Sequence, residues 1–425
     1  MSTNPVFPRG VRPFAVQPSA AWDRWARHGF APLDVVVEVV LGSGQLMRLA
    51  GPGRCSWLAG HGRWIPMGSG AVESVTGRAV RAGETVRPRV LLVLRDNPQY
   101  VVTELAWASD TALDEVLGWL GWPVAREAAG LVSVRERLQA RSNDYWLLEA
   151  AMAALELPEA GRDLPVLPGI SVVVSARGAQ SVLAGTVGSV VEAAERLPGR
   201  TPWECVVVDD LSEAPLRLPA GLPPQVRLVR AAERVYRGGA RNLGQELSSH
   251  PVTVFIDDDL QMAPNYLLQH AVRHLLWPNL ITVSGREEYL EPAAATPQRL
   301  PYGKQVPGDV GQFRDFGTEG RVDPREAYEL VGRGDIVASR PLAEVGFPPD
   351  YVAYGPEDGT FAAKALSLGA FVVPVAETGL FRRGYRRTGN LVAQDAARTA
   401  AFVANLELQE RHFDAPADGG WAVTR

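Results

Sequence analysis

Three consecutive aspartates follow an apolar run in PVTVFIDDD, where residues 252–256 have strand character and Asp257, Asp258 and Asp259 come next. In an extended segment, side chains two positions apart point to the same side, so Asp257 and Asp259 can face one ligand together. Paired carboxylates of this kind hold Mg²⁺ or Mn²⁺, usually together with substrate phosphates. The alternative is a solvated acidic turn, because Asp is common just past the end of a strand.

Two further acidic pairs have the same character. WECVVVDD is a second apolar run, and it ends at Asp209 and Asp210. Glu357 and Asp358 open the segment PEDGTFAAKALSLGA, whose spacing predicts a helix that ends near Gly369. A carboxylate at this position can accept a proton as a general base, or it can stabilise the helix dipole by about 0.3–1 kcal/mol.

The elements around these acids predict a doubly wound, mostly parallel α/β sheet. ISVVVSA, WECVVVDD, PQVRLVR and PVTVFIDDD are strand-length runs, with helical spacing in SVLAGTVGSVVEAAERL and GGARNLGQELSSH between them. In such sheets the ligand lies outside the carboxyl ends of the strands. Both aspartate clusters fall at those ends, which favours a ligand site over scattered surface charge.

The order of five motifs carries a family resemblance. ISVVVSA, CVVVDDLSE, GGARNLG, VFIDDDLQMAPN and GFPPDYVAYGPEDGTFAAKALSLGA, spread over residues 168 to about 385, resemble the family 2 glycosyltransferases of the GT-A fold. The resemblance implies a transferase that moves a sugar from a nucleotide-diphosphate donor to an acceptor nucleophile. The donor sugar, its base and the acceptor stay open.

The resemblance also implies roles near the nucleotide. Asp210, preceded by Asp209, matches the acidic residue that contacts the base or ribose. Arg241 and Asn242 match an Arg-Asn pair near the nucleotide and the diphosphate.

For the reacting centre, the resemblance assigns Asp257 and Asp259 to a DXD site for divalent Mg²⁺ or Mn²⁺, with Asp258 beside it. Glu357 and Asp358 match the Glu-Asp motif, in which the aspartate is the general base. One base and an in-line displacement would invert the anomeric centre.

Two departures from the family pattern stand out. The first strand ends in SARGAQ instead of a Pro-x-Tyr-Asn-like stretch, and no histidine follows the Glu-Asp helix as a third metal ligand. Leu380 lies about where that histidine is expected, and Glu377 is a possible substitute. Four nearby arginines either hold the diphosphate or form a solvated basic turn: Arg382, Arg383, Arg386 and Arg387.

Prolines between residues 155 and 169 divide the chain. We expect an α+β N-terminal domain over 1–160, a GT-A-like domain over 168–390, and a C-terminal helix and tail over 391–425. In the N-terminal part, residues 107–122 predict a helix capped by Asp110, and residues 132–155 predict another helix. Its tryptophans are interpreted as core packing ahead of sugar stacking. Acceptor recruitment and homo-oligomer formation both remain possible roles for this domain.

Composition excludes several classes of protein. The 425 residues are 46% apolar and carry a net charge of -5, which gives no reason to expect a nucleic-acid partner. No apolar run approaches the ~18 residues of a membrane span, and the N-terminus lacks the apolar core of a signal peptide. Only two cysteines are present, so we expect no disulfide framework and a cytoplasmic location.

Two other classes of function remain open. One is a catalytically inactive nucleotide-sugar binding or scaffolding protein, and the other is a nucleotidyltransferase, although SARGAQSVLAG makes a poor loop for the latter. Residues 291–320 predict a long loop that binds the acceptor or closes the site. His270 and His274 have the spacing of a helical zinc pair, but an exposed helix face is the preferred interpretation. The tripeptide at 333–335, RGD, is interpreted as incidental.

Overall fold

The structure is a computed structural model of the chain. It describes these residues: 7–14, 18–28, 31–51, 54–59, 63–67, 84–121, 133–156, 167–178, 180–199, 201–277, 279–290, 321–322, 327–329, 331, 334–353, 355–383, 391–417 and 421. The predicted loop over 291–320, Trp122, Arg386 and Arg387 lie outside the described residues.

The N-terminal part contains strands and helices in the following order: β1 (Val11–Pro13), α1 (Pro18–Ala26), β2 (Leu33–Val40), β3 (Leu46–Ala50), β4 (Arg54–Leu58), β5 (Trp64–Met67), β6 (Thr85–Val86), β7 (Arg89–Leu94), β8 (Val101–Ala108), β9 (Thr111–Ala112), α2 (Leu113–Trp119), α3 (Val134–Gln139), β10 (Asn143–Asp144) and α4 (Trp146–Leu155).

Seven of these strands form an antiparallel sheet in the order β1-β8-β7-β2-β3-β4-β5. Its central strand β2, LDVVVEVV, is rich in β-branched residues that suit a pleated sheet. Alternate residues such as Leu33 and Val35 enter the main core, while Val36 joins a small apolar cluster on the other face. The prediction of a smaller α+β part before the parallel sheet is therefore confirmed.

Two helix predictions in this part were wrong. Residues 107–122 do not form one helix, because Trp107 lies in strand β8 and α2 begins only at Leu113. Asp110 is consequently not the N-cap, and its carboxylate instead accepts hydrogen bonds from Arg87. The helix expected over 132–155 is split by β10, because the side chain of Asn143 pairs with the backbone of Val372 instead of continuing a helical turn.

The remainder of the chain contains β11 (Ile170–Ala176), α5 (Gln180–Glu195), β12 (Trp203–Asp209), β13 (Val226–Arg230), α6 (Tyr236–Glu246), β14 (Val252–Asp257), β15 (Leu260–Met262), α7 (Tyr266–Leu276), β16 (Leu280–Leu290), β17 (Arg321–Val322), β18 (Asp335–Ser339), α8 (Arg340–Ala343), α9 (Glu357–Ser367), β19 (Phe371–Arg383) and α10 (Leu391–Asp414).

An eight-stranded sheet organises this region in the order β13-β12-β11-β14-β18-β16-β19-β15. The first four strands are parallel, β16 pairs in parallel with β19, and the other contacts are antiparallel. Every residue of β11 is buried, as expected of a strand covered on both faces. The predicted mostly parallel α/β sheet with flanking helices is confirmed.

The two sheets share one hydrophobic core. Trp25 of α1, Leu92 of β7 and Trp146 of α4 belong to the same buried cluster as Val173 of β11 and Phe371 of β19. Trp119 and Trp146 meet edge to face, with ring centroids 5.1 Å apart. The structure thus shows these two tryptophans in the core, whereas Trp107 is partly exposed with Arg12 over its ring.

Helix α7 corrects a further expectation. His270 and His274 do not lie on an exposed face; both are buried, and both rings contact the hydroxyl of Thr282, at 2.7 and 3.1 Å respectively. Burial is the main cause that lowers the pKa of both histidines, to about 3 for His274. They are neutral parts of the core.

In the part of the chain that the structure describes, no helix combines the length and the apolar character needed to cross a bilayer.

Candidate functional site

The site forms where parallel strands end. β12 and β14 flank β11, and the register places Asp209 opposite Ala176 and Asp257 opposite Ser175. Both aspartate clusters therefore lie at the same edge of the sheet. Helix α9 adds Glu357 and Asp358 to the aspartates that follow β14, through arginines that contact both. We call Asp257, Asp258, Asp259, Glu357 and Asp358 the acidic cluster.

Arg241 joins the two halves of the acidic cluster. Its side chain is fully buried on α6, and its Nη2 donates to Oδ1 of Asp257 at 2.9 Å. Its Nη1 donates to Oδ1 of Asp358, so one guanidinium bridges the end of β14 and the start of α9. The guanidinium also lies 5.1 Å from the ring centroid of Phe347. Arg241 thus sets the spacing between the predicted metal-binding aspartate and the predicted base.

Arg237 lies one helical turn before Arg241 and contacts the same carboxylates from a more exposed position. Its guanidinium lies 3.1 Å from Glu357, 3.7 Å from Asp257 and 3.9 Å from Asp358. Sequence reasoning missed this residue. Its spacing of four from Arg241 was the available signal, because residues four apart share one face of a helix.

These arginines separate the protonation behaviour of two acids. Burial raises the pKa of Asp257, but Arg237, Arg241 and Arg382 outweigh it, so the net pKa lies below the ordinary value. Burial raises the pKa of Glu357 above its ordinary value despite Arg237, and Asp358 raises it further. Asp257 therefore favours its ionised form, while Glu357 holds its proton more readily.

The other two aspartates after β14 have different partners. Asp258 accepts a hydrogen bond from the backbone N–H of Arg177 at 2.9 Å, and its own carbonyl accepts one from Thr186 at 2.6 Å. Burial is the main cause that raises its pKa to about 7, and the neighbouring aspartates add to the shift. Asp259 accepts from Arg382 at 2.7 Å, yet burial still raises its pKa.

Asp209 and Asp210 brace the loops beside the site. Asp209 accepts from the backbone of Ser212 and Leu216 and from Arg230. Burial raises its pKa, but these partners outweigh burial and lower it overall. Asp210 accepts from the N–H groups that precede and begin α6, at 2.7 and 3.2 Å, and so caps that helix. Both aspartates lie at the predicted edge, at the end of β12.

Asn242 connects α6 to the segment before α9. Its Nδ2 donates to the carbonyl of Phe347 at 2.9 Å, and its Oδ1 accepts from the N–H of the same residue at 2.8 Å. Within the Arg-Asn pair, Arg241 thus contacts carboxylates and Asn242 contacts backbone groups. These contacts hold the approach to Glu357 and Asp358 in place.

Helix α9 brings its first two acids inward. Pro356 occupies the N-cap position without a side-chain cap, and every residue from Glu357 to Ser367 is buried. The helix ends before Gly369, whose φ of +109° suits glycine. Because Glu357 and Asp358 contact arginines inside the protein, the helix dipole is not their main electrostatic environment.

Two residues of the tripeptide interpreted from sequence as incidental, Gly334 and Asp335, lie next to the site, while its first residue lies outside the described residues. The carbonyl of Gly334 accepts from the N–H of Asp257 at 2.9 Å. A Cβ at residue 334 would lie 2.7 Å from Oδ2 of Asp257, and φ is +99°, so the position requires glycine. Asp335 accepts from Tyr266 and from the N–H of Ser284. No pattern in the sequence signalled this close approach of Gly334 to Asp257.

The residues after α9 bear on the missing histidine. Leu380 is buried on β19 in register with Met262 of β15. Glu377, the suggested substitute ligand, instead pairs with Arg273 of α7 at 2.7 Å. Arg382 lies two residues beyond Leu380 and reaches Asp259. A guanidinium, not a third metal ligand, therefore completes this side of the acidic cluster.

The donor set suits a hard cation only in part. Within the described ranges, no three His, Cys, Asp or Glu residues are grouped to hold a metal ion. Asp257 and Asp259 supply carboxylate oxygens, and the acidic cluster has two more carboxyls than its three guanidinium partners, Arg237, Arg241 and Arg382. Mg²⁺ and Mn²⁺ often bind one or two carboxylates and complete their shell with phosphates and water. The chemistry of these oxygens fits such a cation when a diphosphate is present.

Residues 171–322 match the family model described as "Glycosyl transferase family 2". The match covers about a third of the chain and supports a glycosyltransferase. The matched range includes β11 to β16, and hence Arg241 and the aspartates after β14.

Solved structures with a similar fold include GalNAc-T7 with UDP, GalNAc and Mn²⁺, at 18% identity and a TM-score of 0.38, over 55% of this chain and 47% of that one. S. aureus TarS 1-349 with UDP-GlcNAc is 16% identical with a TM-score of 0.37, over 53% and 60% of the two chains. The mannosyltransferase PcManGT from Pyrobaculum calidifontis with GDP-Man and Mn²⁺ is 18% identical with a TM-score of 0.38, over 63% and 72%. The chain thus spans 47% of the length of the GalNAc-T7 chain and 60% of the TarS 1-349 chain. No curated protein matches it.

Proposed function

We propose that this glycosyltransferase moves a sugar from a nucleoside-diphosphate donor to an acceptor nucleophile with inversion, and that Asp358 is the general base. The observation that carries the proposal is the bridge of Arg241 between Asp257 and Asp358. It holds two carboxylates on one guanidinium: Asp257, which could bind the donor's divalent cation, and Asp358, which could accept the acceptor's proton. The family match over 171–322 supports this class of reaction.

In the proposed reaction, the acceptor oxygen attacks the anomeric carbon while its proton passes to a carboxylate oxygen of Asp358. The bond between the anomeric carbon and the phosphate oxygen breaks, and its electron pair leaves with the nucleoside diphosphate. Displacement from the opposite face inverts the anomeric centre. Glu357 lies beside Asp358, and its raised pKa suits a proton-bearing neighbour that holds the base in place.

The leaving diphosphate needs positive charge. Asp257 and Asp259 would hold Mg²⁺ or Mn²⁺, which when bound would neutralise charge on the phosphates. Arg382, paired with Asp259, would supply a further cation from β19. Asp209 and Asp210 would keep the end of β12 and the start of α6 in the shape that receives the nucleotide, with Asn242 fixing the next turn.

The N-terminal sheet lies outside the matched range. We propose that it serves acceptor recruitment or subunit contact while it completes the shared core.

Thermal stability against a panel of nucleoside diphosphates tests the proposal. Each compound is added with and without Mn²⁺ to the wild type, Asp259→Ala and Asp110→Ala. Asp110 is the control, because it is an exposed acid of the N-terminal part, distant in sequence from the acidic cluster. A ligand that binds only the folded state raises its stability by mass action. We expect one nucleotide to raise the Tm in a metal-dependent manner in the wild type and in Asp110→Ala, and not in Asp259→Ala. If no nucleoside diphosphate raises the Tm of the wild type, the protein does not bind this donor class and the proposal is wrong.

A further inference from the structure

Two arginines on one face of α6 make very different contacts with the same acids. Arg241 is 0% exposed at its side chain and bonds directly to Asp257 and Asp358. Arg237 is 25% exposed and reaches three carboxylates at 3.1 to 3.9 Å. Arg241 is a fixed part of the frame, whereas Arg237 lies between the acids and the solvent side of the site.

Arg237 meets Glu357, Asp257 and Asp358 in ion pairs of modest geometry. Oε1 of Glu357 is 3.1 Å from its Nε, yet among the described residues this buried oxygen accepts no hydrogen bond. The distances to Asp257 and Asp358 exceed those of direct hydrogen bonds. Long pairs at a partly exposed position are weaker than short buried pairs, so this guanidinium can change partners at lower cost.

The start of α6 also bears on which residue can bind a diphosphate. Asp210 already accepts from the N–H groups of Val235 and Tyr236, so a carboxylate occupies the anion-binding end of the helix. A diphosphate that reaches this end therefore requires a side-chain donor. A planar guanidinium binds phosphate oxygens in bidentate fashion, which makes Arg237 the suitable residue on the first turn.

Charge decides when the exchange can take place. Removal of Arg237 alone would leave Asp257 and Asp358 with one guanidinium fewer. A cation that arrives with the donor would compensate Asp257 and leave Arg237 available to the phosphates.

We propose that Arg237 is a donor-exchanged residue, which pairs with Asp257, Glu357 and Asp358 in the free enzyme and transfers to the diphosphate when the donor binds. The exchange also frees one oxygen of Asp358 on the acceptor side. This inference rests on the proposed function, and it assigns the diphosphate contact to a residue outside the family motifs described above.

Binding calorimetry with four proteins tests the exchange: wild type, Arg237→Gln, Arg237→Lys and Arg234→Gln. Arg234 is the matched control, because it is exposed in the loop that precedes α6 and its guanidinium lies 4.5 Å from the ring centroid of Tyr236. Its replacement by Gln removes the same charge as Arg237→Gln. The probes are the nucleoside diphosphate that binds the wild type, its parent nucleoside and inorganic pyrophosphate, each with Mn²⁺.

We expect Arg237→Gln to weaken binding of the nucleoside diphosphate and of pyrophosphate at least tenfold, and to leave nucleoside binding unchanged. Arg237→Lys should recover part of the loss, because an ammonium keeps the charge but not the bidentate geometry. Arg234→Gln should stay within about twofold of the wild type, since a long-range charge effect is screened by salt. Steady-state kinetics should show a higher KM for the donor in Arg237→Gln.

Three results would overturn the inference, and only one of them would also contradict the proposed function. Wild-type binding that Arg237→Gln retains in full would eliminate the exchange and leave the proposed function intact. Absence of binding of any nucleoside diphosphate to the wild type would eliminate both. Equal losses in Arg237→Gln and Arg234→Gln would indicate a general charge effect and would also contradict the assignment.

Discussion

The molecule contains two networks of acids and arginines, one on each sheet, and they differ in balance. On the N-terminal sheet, three acids meet four arginines, which together we call the N-terminal network: Asp34, Glu38, Glu104, Arg48, Arg54, Arg89 and Arg95. At the edge of the second sheet, the acidic cluster has more carboxyls than guanidinium partners. The same residue types therefore serve two different purposes.

Position within the strand explains the difference. Glu38 lies in the middle of β2, directly opposite Arg48 of β3 and Arg89 of β7. Such cross-strand pairs of opposite charge stabilise a sheet. The acids of the second network lie at or just past the ends of parallel strands or begin a helix, and their arginine partners come from α6 and from the far end of β19. Arginines outnumber the acids of the N-terminal network, which favours a structural role, whereas the excess of acids at the edge of the second sheet supports the proposed ligand site.

The largest expected effect is on the acidic cluster. Asp358→Asn removes the proposed base, and we expect kcat to fall by about 10²- to 10⁴-fold, the usual range for general-base catalysis. The variant also loses a buried ion pair with Arg241, so the free energy of unfolding should fall as well, and kcat is therefore compared below the unfolding transition. Release of nucleoside diphosphate in the presence of acceptor measures the rate, with Asp110→Asn as the matched acid-to-amide control. A variant that keeps wild-type kcat would show that Asp358 is not the base.

The N-terminal network should respond in the opposite way. Arg48 is buried, pairs with Glu38 at 2.6 Å and lies 4.1 Å from the ring centroid of Trp64. Arg48→Met leaves a buried carboxylate short of a partner, so we expect the free energy of unfolding to fall by about 3 kcal/mol. Urea denaturation measures the loss. Below the unfolding transition kcat should be unchanged, and a selective loss of kcat would contradict the distinction between the two networks.

His270 and His274 add a third case to the two networks, because they are titratable side chains that burial keeps neutral. Their pKa values lie below that of an unfolded histidine, so the unfolded state binds more protons and stability falls as pH drops below about 6.5. Between pH 7.5 and 5.5 we expect a loss of about 1.4 kcal/mol for each of His270 and His274. Urea denaturation across this range measures it. His274→Asn should lower the dependence on pH, while replacement of the exposed His28 should not; equal slopes in all three proteins would refute the prediction.

The smallest effect is expected for an ion pair outside both networks. Arg87 and Asp110 meet at 3.1 Å, with side chains 75% and 64% exposed. Solvent screens such a pair, and we expect Asp110→Ala to change the free energy of unfolding by less than about 0.5 kcal/mol. Thermal denaturation at low and high salt measures it. A loss comparable with that of Arg48→Met would show that exposure does not separate the classes of pair.

Local pattern predicted the frame of the site correctly. The apolar runs ISVVVSA, WECVVVD and VTVFID form β11, β12 and β14, because strands buried on both faces need near-continuous apolar sequence. The helices predicted after β11 and from Glu357 were also correct. Where local pattern was ambiguous, prediction failed: Asp110 resembled an N-cap, but antiparallel pairing extended β8 through Ala108.

The sequence by itself determined the doubly wound sheet and the acids at its carboxyl ends, since both follow from short-range periodicity and from where each apolar run stops. Only the tertiary structure decided which cation each acid meets. Arg241 and Asp358 are 117 positions apart, and Arg382 and Asp259 are 123 apart. The close approach of Gly334 to Asp257 and the burial of His270 and His274 likewise depend on elements distant in sequence. Such contacts leave no local pattern, because packing selects them after the strands and helices have formed.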